Sequence, residues 1–211
     1  DVLDGERIGV AALVPAMLQA IVSVVGNVAD RRYDVLRSIY YGASPIAEGT
    51  LRGVIDAFGC GFVQSYGMTE AAQALTFLTA DDHRLALASR PELLLSAGRP
   101  AAGTELQVID GADSPLPAGT PGEILARGPQ LMSGYWRRPE ETAHALRAGW
   151  LHTGDVGRID EDGYLFIEDR LSDMIVSGGE NVSHRVAEDV LLAHPAIADA
   201  AIIGVPDVRW G

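Results

Sequence analysis

The sequence predicts an α/β chain with a change of texture part-way along. Short apolar runs alternate with helix-like segments from about Val10 to Thr79, as strands and helices do in a parallel sheet. From Gly98 to Ile167 short strands are broken by turn residues, and from Leu171 a strand–helix pattern starts afresh. The expected layout is therefore a partial parallel α/β subdomain over residues 1–97, a distorted β-barrel subdomain over 98–170, and the start of a small α+β domain over 171–211.

Taken in order, Gly9–Val14 reads as a buried strand and Ala16–Val25 as a helix opened by Pro15, whose fixed φ suits a first helical position. Leu36–Tyr41 reads as a strand, Ala47–Phe58 as a helix and Gly61–Ser65 as another strand. Parallel sheets bind ligands beyond the carboxyl ends of their strands. That rule singles out the loops Gly42-Ala43-Ser44-Pro45 and Tyr66-Gly67-Met68-Thr69-Glu70. In the second stretch, Glu105–Ile109, Glu123–Arg127, Gly157–Asp160 and Tyr164–Glu168 read as strands, separated by turns such as Leu116-Pro117-Ala118-Gly119 and Glu161-Asp162-Gly163. One helix interrupts them, starting at Pro139-Glu140-Glu141-Thr142 with carboxylates in its first turn. Further on, Met174–Val176 reads as a strand, Ser177-Gly178-Gly179-Glu180 as a loop, His184–Ala193 as a helix and Ala198–Val205 as a strand.

Composition excludes several classes of partner. A formal net charge of −13 repels nucleic acid and anionic membrane. The single cysteine, Cys60, cannot form an internal disulfide, and Cys and His show no metal-ligand spacing. A reducing, cytoplasmic location is the expectation. The most apolar stretch, Val10 to Val25, is interrupted by Pro15, Gln19 and Ser23 and falls short of the roughly 20 apolar residues a membrane span needs, so no transmembrane segment is expected. No signal-peptide pattern precedes it, and the chain reads as cut at both ends.

Gln64-Ser65-Tyr66-Gly67-Met68-Thr69-Glu70 carries the most chemistry. A tyrosine beside a glycine at a strand end offers a flat face for a purine with close backbone approach. A hydroxyl three residues on can donate to a phosphate oxygen, and the next carboxylate is a hard oxygen ligand suited to Mg²⁺. On chemistry alone the segment reads equally as a strand-ending turn with a buried aromatic and a helix-capping threonine.

This segment resembles the Tyr-Gly-x-Thr-Glu motif of the adenylate-forming superfamily of acyl-CoA synthetases, phenolic acid ligases, luciferases and peptide-synthetase adenylation domains. The resemblance continues in order along the chain. Tyr41-Gly42-Ala43-Ser44-Pro45 is similar to the family's glycine-rich adenine loop. Gly98-Arg99-Pro100, Gly122-Glu123-Ile124 and Gly134-Tyr135-Trp136 with Pro139-Glu140-Glu141-Thr142 resemble its barrel signatures. Trp150-Leu151-His152-Thr153-Gly154-Asp155 resembles its ribose-binding signature, Asp169-Arg170 the approach to its hinge, and Ser177-Gly178-Gly179-Glu180-Asn181 its lid loop.

The resemblance implies roles. Tyr66 would stack on adenine, with the backbone of Gly42, Ala43 and Ser44 and the strand end Gln64, Ser65, Gly67 and Met68 around the nucleotide. Thr69 would hold the α-phosphate and Glu70 the Mg²⁺. Asp155 would accept both ribose hydroxyls, Arg170 would reach the ribose and phosphate side, and Gly178, Gly179 and Glu180 would line the pantetheine tunnel. Thr69, Glu70 and Arg170 are thus the candidate catalytic residues, Glu70 the candidate metal ligand, and ATP or AMP, Mg²⁺ and CoA the implied cofactors. The implied reaction is AMP-forming ligation of a small-molecule carboxylic acid to CoA. The Gly178-Gly179-Glu180-Asn181 form of the lid loop favours CoA over a carrier-protein thiol.

The match departs from the family in places. Ser172 stands where the hinge residue is usually aspartate or lysine, and Ser183-His184-Arg185-Val186-Ala187-Glu188 replaces a Pro and Glu-Val-Glu run. His184 reads as a solvated residue at a helix start. The family's Ser/Thr/Gly-rich phosphate loop and its C-terminal catalytic lysine are outside these residues, so the 211-residue chain alone is expected to be inactive. Residues Tyr40–Ser44 and Gly67–Ala74, which line the acid pocket in relatives, are small or apolar here. A fatty acid comes first and a phenylpropanoid or aryl acid second as substrate; an amino acid would need a carboxylate for its ammonium. Two other readings stand beside the CoA ligase. They are a non-catalytic nucleotide-binding fragment and an adenylation domain that loads a carrier protein.

Overall fold

The structure, a computed structural model, describes residues 2–171, 174–177, 180–182, 184–192, 194, 196–197 and 200–207. The chain divides into two compact units, Asp1–Thr104 with Gly128–Met132, and Glu105–Arg127 with Ser133–Gly211. Each is described by itself.

The first unit is a sheet flanked by helices. After a short helix α1 (Val2–Gly5) come strand β1 (Val10–Leu13), helix α2 (Pro15–Val24), strand β2 (Ser38–Gly42), helix α3 (Glu48–Phe58) and strand β3 (Gly61–Tyr66). Proline at the start of α2 follows an extended Val14, and α3 ends on Gly59 in the left-handed conformation, whose N–H bonds the Ile55 carbonyl. β1, β2 and β3 pair in parallel and in sequence order, as strand–helix–strand crossovers dictate. Then the direction reverses. Strand β4 (Thr76–Leu78) pairs antiparallel with β3, helix α4 (Ala80–Ala88) follows, and strand β5 (Arg99–Pro100) pairs antiparallel with β4. Leu18 of α2 and Leu51 and Val54 of α3 are fully buried, as is Ile39 of β2, so the helices seal the sheet. At about 25 cal/mol per Å² of apolar surface removed from water, such burial is the main force holding the layers together.

The second unit is built on an antiparallel sheet. Strand β6 (Glu105–Ile109) pairs with β7 (Gly122–Arg127). Helix α5 (Pro139–Ala145) and the two-residue strand β8 (Leu146–Arg147) lead into β9 (Trp150–Ile159), which pairs with β8, β7 and β10 (Leu165–Arg170). Leu165, Ile124 and Leu151 within the sheet, and Tyr164 just before β10, are buried. A separate hairpin of β11 (Ile175–Ser177) and β12 (Glu180–Val182) follows, then helix α6 (His184–Leu192).

Several expectations of the sequence change. Gly9–Val14, read as a buried strand, ends the strand order of its sheet as β1 and is exposed or half-buried along its length, with Val10 49% exposed. Ser177 and Glu180, read as loop, pair with each other at the end of the hairpin; Gly178 and Gly179 between them lie outside the described residues, as does Ser172. Residues 200–205, read with 198–199 as a strand, form none; 198 and 199 lie outside the described residues. A strand exists only where a neighbouring backbone accepts its hydrogen bonds. No strand of the described residues pairs here, and Ile203 and Val205 are 78% and 73% exposed.

Candidate active site

In the first unit the expected nucleotide residues share the ends of two adjacent parallel strands. Gly42 closes β2 directly opposite Ser65 of β3. The strands are so close that a Cβ on Gly42 would sit 2.2 Å from the Ser65 carbonyl oxygen. Ala43 follows at φ 69°, turning the chain out, and Ala43 and Ser44 are exposed. Gln64, Ser65 and Tyr66 complete β3, all half-buried, and Thr69 to Ala71 wind into one turn of 3₁₀ helix.

Backbone hydrogen bonds pin that turn. The Tyr66 carbonyl accepts from Leu75 N–H at 2.8 Å, and the Met68 carbonyl accepts from Ala71 and Gln73 N–H at 3.0 and 3.1 Å. The Glu70 carbonyl accepts from Met132 N–H at 2.7 Å. Gly67 lies against the returning chain, where a Cβ would be 2.1 Å from the Gln73 oxygen. Thr69 is exposed and Glu70 half-buried. An aromatic, a hydroxyl and a carboxylate thus follow one another on a fixed strand-end loop.

Behind these strands sits a network that the sequence did not suggest. His83 of α4, 3% exposed, bonds the Thr79 carbonyl through Nδ1 at 2.8 Å, so Nδ1 carries the proton. Its Nε2 then accepts from the Tyr41 hydroxyl at 2.8 Å, and that hydroxyl lies 3.4 Å from Gln64 Oε1. The network joins α4 to the strand just before Gly42 and to the strand end at Gln64. Burial pushes the Tyr41 phenol well above its usual 10.0. Burial also pushes His83 below its ordinary 6.5, against the opposing pull of the Thr79 carbonyl and the Asp82 carboxylate. The unfolded chain therefore takes up this proton before the folded one does. The stability His83 contributes is complete above about pH 6.5 and is lost as pH falls below it. Urea unfolding should show a lower midpoint at pH 5.5 than at pH 7.5, and the difference should shrink in His83→Gln.

In the second unit Asp155 of β9 and Arg170 of β10 face each other in register. Asp155 is 5% exposed, and Arg170 Nε lies 3.1 Å from its Oδ1. Along β7, Glu123 pairs with Val156 and Leu125 with His152, so Thr153, Gly154 and Asp155 bulge opposite Ile124 alone. Side chains take up the backbone groups the bulge releases. Thr153 Oγ1 donates to the Ile124 carbonyl at 2.7 Å and accepts from Asp155 N–H at 3.1 Å. Glu123 accepts from Gly154 N–H at 3.3 Å and from His152 Nδ1–H at 3.0 Å. Leu171 N–H closes the far side on the Gly154 carbonyl at 2.9 Å.

Of the expected residues, Gly42, Ala43, Ser44 and Gln64 through Glu70 are gathered in the first unit, and Asp155 and Arg170 in the second. Glu180 lies in β12, while Gly178 and Gly179 fall outside the described residues. Tyr41 and His83 are 42 residues apart, and Glu123 and His152 are 29 apart, so spacing alone gave no signal for either pair. The cue for the second was chemical, a glutamate and a histidine each embedded in a recognisable signature.

The profile of AMP-binding enzymes matches residues 1–136, and the chain belongs to that family. It is 40% identical to a medium/long-chain-fatty-acid–CoA ligase of Mycobacterium tuberculosis, covering 100% of this chain and 36% of that protein. It is also 40% identical to a fatty acid–[acyl-carrier-protein] ligase of Streptomyces coeruleorubidus, covering 100% and 40%. Among solved structures it resembles the amide bond synthetase of Marinactinospora thermotolerans (38% identity, TM-score 0.91, 100% of this chain and 41% of that one). It resembles as well the o-succinylbenzoate–CoA synthetase of Bacillus subtilis in complex with ATP and magnesium (31% identity, TM-score 0.82, 97% and 40%). The chain spans about two fifths of the length of the curated relatives it matches.

Proposed function

We propose that these residues serve an AMP-forming acid–thiol ligase. The carboxylate of an acid attacks the α-phosphorus of ATP, the bond to the β-phosphate breaks, and pyrophosphate leaves. The sulfur of CoA then attacks the acyl carbon of the acyl adenylate, AMP departs with the carboxyl oxygen, and the thiol proton is released. The observation that carries this reading is Asp155, a buried carboxylate set on a bulge with two oxygens at diol spacing for a ribose. Tyr66 supplies a flat face for adenine, Thr69 a hydroxyl for the α-phosphate, and Arg170 a cation for the adenylate beside Asp155. Because the first half-reaction is mostly positioning and charge neutralisation, a loop pinned by backbone bonds is what it requires.

Glu70 would hold Mg²⁺. The ion keeps most of its waters and takes phosphate oxygens, so one protein carboxylate on a fixed turn suits it. Bound there, it offsets the triphosphate charge.

The small residues Gly42, Ala43, Ala71, Ala72 and Ala74 beside the strand ends favour an apolar acyl or aryl tail, with a fatty acid first. Residues 171–211 would begin the lid that brings Gly178, Gly179 and Glu180 to pantetheine. Among the described residues no helix is long and apolar enough to cross a membrane. The carrier-protein ligase among the relatives supports a second reading, in which the thiol sits on a carrier protein.

Pyrophosphate release by the full-length protein tests both. Fatty and aryl acids are supplied with ATP, with and without CoA, and the 211 residues alone serve as the inactive control. Acid-dependent release with consumption of CoA thiol is expected. Release that consumes no CoA but loads a carrier protein favours the second reading, and no acid-dependent release overturns both.

A further inference from the structure

The turn that carries Asp155 is held from behind by side chains with no part in the roles above. A bulge of three residues against one leaves backbone groups without ladder partners, and each must find another acceptor or donor. Thr153 answers for the Ile124 carbonyl and the Asp155 amide. The Gly154 amide is answered by Glu123, whose side chain is only 14% exposed. Gly154 adopts φ 70°, a conformation that aims this N–H off the ladder and toward that carboxylate.

Glu123 uses its two oxygens for different tasks. Oε1 accepts from Gly154 N–H, one residue before Asp155. Oε2 accepts from His152 Nδ1–H, on the paired residue that borders the bulge, and has Arg147 Nη2 3.8 Å away. His152 is itself 6% exposed. The carboxylate thus holds the bulge at Gly154 and the strand at its border at His152, both from the neighbouring strand. Without it, Gly154 is free to relax toward the regular ladder, and a one-residue slip in a strand turns the next side chain to the opposite face.

We infer that Glu123 is a positioning residue for ribose recognition, fixing the direction of Asp155 through the Gly154 amide with His152 as its brace. This rests on the reading of Asp155 as the ribose acceptor.

Steady-state pyrophosphate release by the full-length protein, with ATP and with 2′-deoxy-ATP, tests it in Glu123→Gln, Asp155→Asn and the double variant. Glutamine keeps the shape of Glu123 but offers a single acceptor oxygen, so one of its two bonds is lost. Losing one bond to a charged group predicts a KM for ATP raised about tenfold, with the KM for the acid changed by less than about twofold. The preference for ATP over 2′-deoxy-ATP should shrink by a similar factor, and the double variant should match Asp155→Asn alone. His152→Gln, which retains a donor for Glu123, should show the same change at about a third of its size. If Glu123→Gln does not fold, His152→Gln against His152→Ala gives the same reading, glutamine restoring the preference that alanine loses. An unchanged ATP to 2′-deoxy-ATP ratio in the Glu123 and His152 variants, or effects that add to those of Asp155→Asn, overturns the inference while leaving the ribose reading intact. If Asp155→Asn itself leaves that ratio untouched, both fall.

Discussion

Asp155→Asn in the full-length protein is expected to lower kcat/KM for ATP by about 10²–10³-fold, because two charge-assisted hydrogen bonds at roughly 1.5–3 kcal/mol each are weakened together. Asparagine is isosteric with aspartate, so the bulge at Thr153–Asp155 and its ties to Ile124 and Glu123 stay as they are. What changes is the charge and one acceptor oxygen. Two ribose hydroxyls donate to the carboxylate, whereas an amide accepts through one oxygen only and meets the second hydroxyl as a neutral donor, so neither bond keeps its charge assistance. Arg170 also loses its partner at 3.1 Å, but its side chain is 63% exposed and water can take the place of the carboxylate. The thermal midpoint should therefore stay close to that of the parent while turnover collapses. A kcat/KM within about threefold of the parent would be worth less than 1 kcal/mol, and would remove Asp155 from the nucleotide site.

The parts of the fold written in local chemistry could be read directly. Glu105–Ile109 is a strand with the bounds its sequence suggests, and the helix ending at Phe58 stops where Gly59 takes φ 59°. The strand-end loops at Gly42 and Tyr66 also lie where alternating strands and helices place them. What could not be read depended on distant partners. Strand β4 is three residues long with no turn signal of its own, and it exists because β3 and β5 accept its hydrogen bonds. Helix α4 buries His83 and Ala86 while exposing Leu85 and Leu87, so its apolar residues trace no inward stripe; only the Thr79–Asp82 capping box marks it.

The site shows the same division. Thr153-Gly154-Asp155 looks like a turn, and the sequence reading started its strand only at Gly157. In the structure β9 runs from Trp150 to Ile159, straight through a bulge. Whether a Gly-Asp pair turns the chain or bulges a strand is decided by what lies opposite. Here that is Glu123 on β7, reachable only once the sheet has formed. The buried His83–Tyr41 bond is likewise a product of packing, since α4 and β2 meet only across the finished sheet.

Gly67→Ala should cripple both rate and stability, for a reason visible in a single distance. The new Cβ would lie 2.1 Å from the Gln73 oxygen, 2.6 Å from its carbon and 2.9 Å from the Ala74 Cα. All three are backbone atoms, so no side chain can swing aside. Nor can the segment opposite easily retreat. Ala72 and Gln73 already hold φ 47° and 87°, and Gln73 N–H and Leu75 N–H are committed to the Met68 and Tyr66 carbonyls. Forcing the strands of this loop apart costs about 1–3 kcal/mol as overpacking. At about 2–4 °C per kcal/mol for a domain of this size, the thermal midpoint should fall by several degrees. Tyr66, Thr69 and Glu70 ride on the displaced loop, and an error of about 1 Å in such groups costs on the order of 10²-fold in rate. Gly53→Ala is the matched control. It lies within α3 with nothing within 4 Å of its added Cβ, so alanine should raise stability by about 0.5–1 kcal/mol and leave turnover unchanged. Equal behaviour of the two variants would mean that the loop yields freely. A loop that yields cannot hold an aromatic face, a hydroxyl and a carboxylate in one arrangement, and positional catalysis at residues 66–70 would lose its physical basis.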